Sequence, residues 1–445
     1  EPSHYDALHA LEDLYKNLDK SSEMAELLQQ KLSMCTTDIE RLELYIHLGS
    51  LYDKELENID NAIQMFQQAL ELDPNRLEVL QALDSLYLRK NKWDELVEVC
   101  LREIELNENL EEKAELCFRL GVIYRDRFQD LLRAKTMFLS SIDYKANMRK
   151  ALKALTGLAI LEENWTQAVK YIGMEIVHIQ DPMEKVESLT ELGSLYQHKL
   201  KLIQKAKESF QKALDINPKS TIAIEAMADI YFTQKEYVQA EPLLGRLVLL
   251  VEKSNIDRMS NIYYKWGLVA EKLGKKDDAI VRYSNALKMQ EDHFDSLCAL
   301  GALYFERAQW GFDKSQWQEA LDIYQKIYEH PKLESDDDVV RRLAVMYEKL
   351  GQIDTSIEYY TKVLANIPED ADSIQALARL YLKQGNDQNA LHFLQRIIRS
   401  DYISFTERRS AYMTIAEVQT RLENHREAIE AHMIALEMGV EDPII

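Results

Sequence analysis

Four thiols and ten imidazoles are the groups of this chain best suited to nucleophilic, redox or metal chemistry, and their spacing supports none of it. Cys35, Cys100, Cys117 and Cys298 lie at no disulfide-framework or zinc-ligand interval. Cys100 and Cys117 stand among apolar residues, where a free thiol behaves as a small hydrophobe. The histidines form no His-Glu-x-x-His pair, and there is no phosphate-cradling loop, dinucleotide-type glycine cluster or Gly-x-Ser-x-Gly elbow. Carboxylates are abundant, but a catalytic pair would need distant residues to converge. The acidic run Glu334-Ser335-Asp336-Asp337-Asp338 precedes an expected helix start, so capping and dipole compensation account for it better than a cation site does. The sequence therefore reads as non-catalytic, with no cofactor and no metal.

The elements that would carry any binding residues follow from composition. The 445 residues are 46% hydrophobic, enough for a large core, with only 13 Gly and 8 Pro, too few for an all-β fold with many turns. Leu, Ala, Glu, Lys and Gln dominate, and these lose least entropy in a helix. Against 54 Lys and Arg stand 76 Asp and Glu, a net charge of −22. Such a surface repels phosphate backbones and leaves room for basic segments of a protein partner, although solubility alone also accounts for it. The longest apolar run, Leu243 to Val251, contains Arg246 and is far too short to span a bilayer, so no direct membrane insertion is expected. No signal peptide is visible. The sequence opens on Glu1 rather than Met and shows no polar terminal cap, which reads as the array portion of a longer protein, with the cytoplasm only a default location.

Self-similarity organises the whole chain. The stretch Leu48-Gly49-Ser50-Leu51-Tyr52 recurs letter for letter as Leu192-Gly193-Ser194-Leu195-Tyr196, and Ala62, Phe66, Ala69 and Pro74 recur at Ala206, Phe210, Ala213 and Pro218. Halfway between lie Leu120, Gly121, Tyr124, Ala134 and Phe138, so the unit is 72 residues. It divides in two: Trp93, Trp165 and Tyr237, again 72 apart, mark the second halves. The small-residue position falls at 12, 49, 84, 121, 156, 193, 228, 267, 301, 344, 378 and 416, giving twelve copies. Each copy reads as two amphipathic helices whose apolar stripes cannot both be buried alone, so copies must stack. Strict register holds over 1–251 (seven copies) and loosens over 252–445 (five copies, continuous with the first part), where VEKSNIDRM lengthens a junction. The one-residue surplus in copies such as KELENIDNA should lengthen the turn between helices, and Pro242 should kink its helix.

This pattern resembles the tetratricopeptide repeat family: Leu-Gly-x-x-Tyr in a first helix, then Ala, an aromatic, Ala and Pro in a second. Leu300, Gly301, Tyr304, Ala320 and Tyr324 fit, as do Gly267, Ala279, Tyr283 and Ala286. Asp84 and Thr156 depart at the small residue, and Glu103 and Glu175 at the second Ala. The resemblance implies an all-α, right-handed superhelical solenoid that binds peptide or protein segments along the concave face of its first helices.

By register that face carries Glu43, Glu115, Phe118, Lys150, Lys153, Glu187, Glu225, Asp229, Phe232, Tyr264, Phe305, Arg341, Arg379 and Arg421. Phe118, Phe232, Tyr264 and Phe305 either anchor a partner segment or pack against a neighbouring hairpin. Lys153, Arg341 and Arg379 add charge. Trp310 and Phe312, in the segment Gln309–Trp317 that inserts about seven residues between the helices of the ninth copy and is expected as a loop, either form a partner-binding knob or fold back over a gap. The relatives that clamp chaperone carboxylate tails need an Asn directly after the small residue, and the ten copies inspected there have none, so such tails are not expected as partners. Basic residues do not recur at one groove position either, which argues against base-by-base RNA reading. The sequence reads as a scaffold or adaptor; the alternative is the recognition arm of an enzyme whose catalytic domain lies elsewhere.

Overall fold

Gly49 faces Phe66 so closely that a Cβ on the glycine would lie 2.8 Å from the ring. The same contact joins Gly121 to Phe138, Gly193 to Phe210 and Gly267 to Tyr283. A small residue in a first helix and an aromatic in the second thus lock two amphipathic helices into one hairpin, and this contact is what the repeat signature encodes. The computed structural model describes residues 2–18, 20–252, 255–311, 313–334, 336–399 and 404–440.

Two compact units result, residues 1–220 and 221–445. The first holds α1 (Pro2–Asn17), α2 (Ser21–Met34), α3 (Asp38–Lys54), α4 (Ile59–Leu72), α5 (Leu77–Lys90), α6 (Trp93–Leu106), α7 (Leu110–Asp126), α8 (Leu131–Tyr144), α9 (Arg149–Leu161), α10 (Trp165–His178), α11 (Pro182–Ser194) with a π-helical extension Leu195–Lys199, and α12 (Ile203–Ile216). The second holds α13 (Thr221–Thr233), α14 (Tyr237–Leu250), α15 (Ile256–Lys272), α16 (Lys276–Met289), α17 (Phe294–Trp310), α18 (Lys314–Tyr328), α19 (Asp337–Leu350), α20 (Ile353–Asn366), α21 (Ala371–Gln384), α22 (Asp387–Arg399), α23 (Phe405–Arg421) and α24 (His425–Val440). All twelve small-residue positions fall in the odd-numbered helices, so each unit is a stack of six helix-turn-helix hairpins and the described elements are helical throughout.

Neighbouring hairpins share their apolar stripes; in the first unit Leu48, Leu80, Leu120 and Leu152, all fully buried, belong to one core. The motif tyrosine adds a polar tie. Gln29 of α2 donates to the Tyr52 hydroxyl at 2.7 Å, Gln67 of α4 to Tyr87 at 2.9 Å, and Gln325 of α18 to Tyr347 at 2.8 Å, each tie running from one hairpin to the next.

The turns repeat as faithfully as the helices. In the longer copies Asn58, Asp130 and Leu202 donate backbone N–H to the carbonyls of Tyr52, Tyr124 and Tyr196, closing over six residues at 2.8–2.9 Å. In the shorter ones Lys92, Asn164 and Glu236 reach back only five residues, to Tyr87, Ala159 and Tyr231. The surplus residue therefore sits in the turn, as its sequence position implied. Each turn holds one left-handed residue: Glu57, Gln129 and Lys201 in the long form, Asn91, Glu163 and Lys235 in the short. Pro242 lies inside α14, which continues past it to Leu250. Asp336 caps α19 by accepting from the Asp338 N–H at 2.9 Å, which gives the acidic run its structural role; Ser335 lies outside the described residues.

Candidate functional site

The first helices present to solvent the side chains that follow and precede the small residue, and charges there bridge consecutive hairpins. In the first unit Lys150 of α9 meets Glu115 of α7 at 3.3 Å, and Lys153 meets Glu184 of α11 at 3.0 Å. In the second, Lys265 of α15 meets Asp229 of α13 at 2.7 Å, Arg379 of α21 meets Glu348 of α19 at 2.9 Å, and Arg421 of α23 meets Asp387 of α22 at 2.6 Å. Arg341 of α19 pairs with Asp370, the N-cap of α21, at 3.0 Å. Lys153, Arg341 and Arg379 are thus each engaged with a carboxylate of the chain itself. The Lys150–Glu115 pair is well exposed on both sides and adds little stability, whereas the carboxylates held by Arg341, Arg379 and Arg421 are mostly covered.

The four aromatics are half-buried. Phe118 packs on Phe138 of its own hairpin with ring centroids 5.7 Å apart, and the Lys150 ammonium stands 5.8 Å over its ring. Phe232 meets Tyr237 edge-on at 5.7 Å; Tyr264 lies between Tyr283 at 5.9 Å and His293 at 5.6 Å. Phe305 lies against Trp317 and Tyr324, with the Arg342 guanidinium 5.4 Å over the ring. Trp310 is not on a loop. It ends α17, which runs nine residues past Gly301 where α3 runs five past Gly49, and is 81% exposed. Phe312 lies outside the described residues. Among the described residues no hydrogen bond, ion pair or ring contact joins any two of Phe118, Lys153, Phe232, Tyr264, Phe305, Trp310, Arg341 and Arg379; they lie one or two per hairpin.

Hollows open between consecutive first helices. One of about 700 Å³ lies between α3 and α5, lined among others by Glu43, His47, Glu78 and Gln81. A second of about 420 Å³ lies at α5, α6 and α7, lined by Gln81, Glu103, Asn107, Glu112, Phe118 and Arg119 among others. Gln81 borders both, so they adjoin. In the second unit Arg341 lines a hollow of about 620 Å³ and Arg379 one of about 220 Å³.

The 420 Å³ hollow rests on a buried polar cluster that sequence reasoning met only as two departures from the repeat, Asp84 and Glu103. Asp84 takes the small-residue place opposite Cys100, whose thiol donates to its carboxylate at 3.1 Å. Arg119, from the next hairpin, reaches back to Asp84 at 2.6 Å and to the Cys100 sulfur at 3.2 Å. Burial, then the Asp84 charge, pushes the Cys100 thiol well up, so it is a hydrogen-bond donor and no nucleophile. Burial together with Asp84 also raises the Glu103 carboxyl to about 7. A usable signal was present: Asp84 at a Gly/Ala position and Arg119 thirty-five residues on, one hairpin apart, form the i to i+35 pairing that Lys150 and Glu115 also make.

Among the described residues no group of His, Cys, Asp and Glu is placed to hold a metal ion, and no helix is long and apolar enough to cross a membrane.

Models described as tetratricopeptide repeat match residues 42–76, 79–114, 186–220 and 264–337, and the model of anaphase-promoting complex, cyclosome, subunit 3 matches 349–432. Among curated proteins, the human Protein O-mannosyl-transferase TMTC3 is 22% identical over 335 residues, covering 68% of this chain and 33% of that protein. Human DnaJ homolog subfamily C member 7 is 28% identical over 123 residues, 27% of this chain and 22% of that protein. The chain thus spans a third or less of the length of these relatives. A crystal structure of YrrB, described as a TPR protein with an unusual peptide-binding site, is 16% identical, covers 46% of this chain and 98% of its own, and has a TM-score of 0.35.

Proposed function

The chain is a tetratricopeptide repeat protein, and from that premise we propose that it is a non-catalytic interaction scaffold that holds an extended segment of a protein partner, basic in character, along the face of its first helices. The observation that carries this reading is the pair of adjoining hollows between α3, α5 and α7. They are contiguous through Gln81 and bordered by Glu43, Glu78, Glu112 and Glu115. An extended chain crossing α3, α5 and α7 meets both of these hollows, and the net charge of −22 draws basic segments toward them. Phe118 and Lys153 contribute in the first unit. Phe232, Tyr264, Phe305, Arg341 and Arg379 contribute in the second, with Trp310 as an exposed secondary contact.

The test is site-specific photo-crosslinking. A benzophenone side chain placed at Glu115, on the first-helix face, should capture a partner that the same group at Leu132, 77% exposed on the second helix α8, does not. Equal capture from both positions would remove the reading.

A second reading, the recognition arm of a larger enzyme, draws support from the match to the mannosyltransferase TMTC3, of which the chain spans a third. It predicts that the isolated array transfers no sugar while changing which proteins a fused catalytic domain modifies.

A further inference from the structure

The second alanine of the repeat carries a buried charge in three successive 72-residue copies: Lys31, Glu103 and Glu175, at 7%, 3% and 4% exposure. A charge so buried is tolerated when it is paired. Lys31 is: its ammonium meets Glu12. Glu175 is too, with the Arg149 guanidinium at 3.5 Å and the Lys153 ammonium at 3.6 Å; the same two cations also hold Glu184.

Glu103 is the exception. Moving back by one unit from Arg149, Lys153 and Glu184 leads to Leu77, Gln81 and Glu112. The acidic pair is kept, Glu103 with Glu112, but both cations are replaced by uncharged residues. In their place is the 420 Å³ hollow, lined by both carboxylates, and Glu103 Oε1 is buried in it without a hydrogen-bond partner.

We infer that this hollow receives the cationic side chain of a Lys or Arg from the partner segment, which supplies from outside the charge that Arg149 and Lys153 supply in the next copy. The inference rests on the first-helix binding reading and names the residue type it selects. The ammonium or guanidinium would sit between Glu103 and Glu112, with its aliphatic stem along Leu116, Phe118 and Val122.

The other charged groups around Glu103 leave this place open. On α5, Asp84 is committed to Arg119 and Cys100. On α7, Arg119 directs its Nη2 to those same two groups; its charge acts on Glu103 from a distance, against the burial and Asp84 that raise it, without forming an ion pair to it among the described residues, and Glu112 accepts from Asn107 and Asn109 at 2.7 and 2.9 Å. Glu115 faces Lys150 at the rim. Entry of a cation ionises Glu103, so its proton leaves to solvent and binding strengthens as the pH rises.

The experiment measures fluorescence anisotropy of a labelled peptide alternating Ala and Lys, beside its Nε-acetylated form and an Ala–Glu counterpart, on the full chain. The lysine peptide alone should bind, more tightly at about pH 8 than at about pH 6. Glu103→Gln should weaken it roughly thirtyfold, the scale for losing one member of a buried charge pair, and should flatten the pH dependence. Gln81→Lys, which restores the missing cation from within, should block the site while the chain keeps its helicity and melting temperature. A carbon-detected titration of the Glu103 carboxyl should show its midpoint falling from about 7 when the peptide is added. Equal binding by wild type and both variants with one pH profile, no binding by wild type, or an unmoved midpoint would each overturn the inference. The scaffold reading fails separately: a partner crosslinked from Glu115 and insensitive to Glu103→Gln keeps that reading and removes only this pocket.

Discussion

The Phe138 ring stands against the backbone of Gly121, where a Cβ would approach it to 2.5 Å. Phe138 is fully buried, so the ring has nowhere to retreat. Gly121→Ala should therefore cost about 1–3 kcal/mol through overpacking, despite the roughly 1 kcal/mol that alanine gains in helix propensity. Gly157, also in a first helix, has no atom within 4 Å of its Cβ position, so Gly157→Ala should stabilise by up to about 1 kcal/mol. Urea midpoints of the two variants, which should move in opposite directions, decide this.

The left-handed turn residues give a second prediction. Lys235 holds φ 61° in a short turn, whereas Gly351 occupies the corresponding place in a later short turn at φ 86°. For a residue with a Cβ this conformation costs roughly 1–2 kcal/mol, partly offset by the freedom glycine brings to the unfolded chain. Lys235→Gly should raise the melting temperature slightly, and Gly351→Ala should lower it.

How much of this was legible beforehand follows from which contacts are periodic. The hairpins, their count and the longer turns were readable because Gly49, Phe66 and Tyr52 recur at fixed intervals, and any contact made within a copy leaves that trace. The Trp310 segment was not. Its surplus residues fit a loop or a longer helix equally well by pattern, and the length of α17 is settled by packing. Nor was the role of Asp84 and Glu103. They break the period, and their partner Arg119 lies one hairpin away, so they registered as imperfections of the repeat and not as members of one cluster.

That cluster makes the third prediction. Arg119→Met leaves the Asp84 carboxylate, 9% exposed, with only the Cys100 thiol, and should cost roughly 3 kcal/mol. Combining it with Asp84→Gly, which restores the small residue of the motif, should recover most of that loss. A double-mutant cycle by chemical denaturation gives the coupling, and additive losses would show that the pair is not the unit.

Glu103 ties stability to pH in a direction opposite to that of the paired carboxylates. Its folded-state value of about 7 stands above the ordinary 4.5, raised by burial and then by Asp84. Between these values the native chain keeps the proton while the unfolded chain has released it. Stability contributed by this group is full below about pH 4.5, falls as the pH rises, and levels off above about 7, a loss on the order of 3 kcal/mol. Glu184, held low by hydrogen bonds from Lys153 and Arg149, acts the other way, losing its contribution as the pH falls. The net curve mixes both, so the informative quantity is the difference between wild type and Glu103→Gln. That difference should favour the variant increasingly from about pH 5 to about pH 7 and then hold constant. A difference independent of pH would mean that Glu103 is already ionised in the folded chain and that its hollow is wetter than its 3% exposure implies.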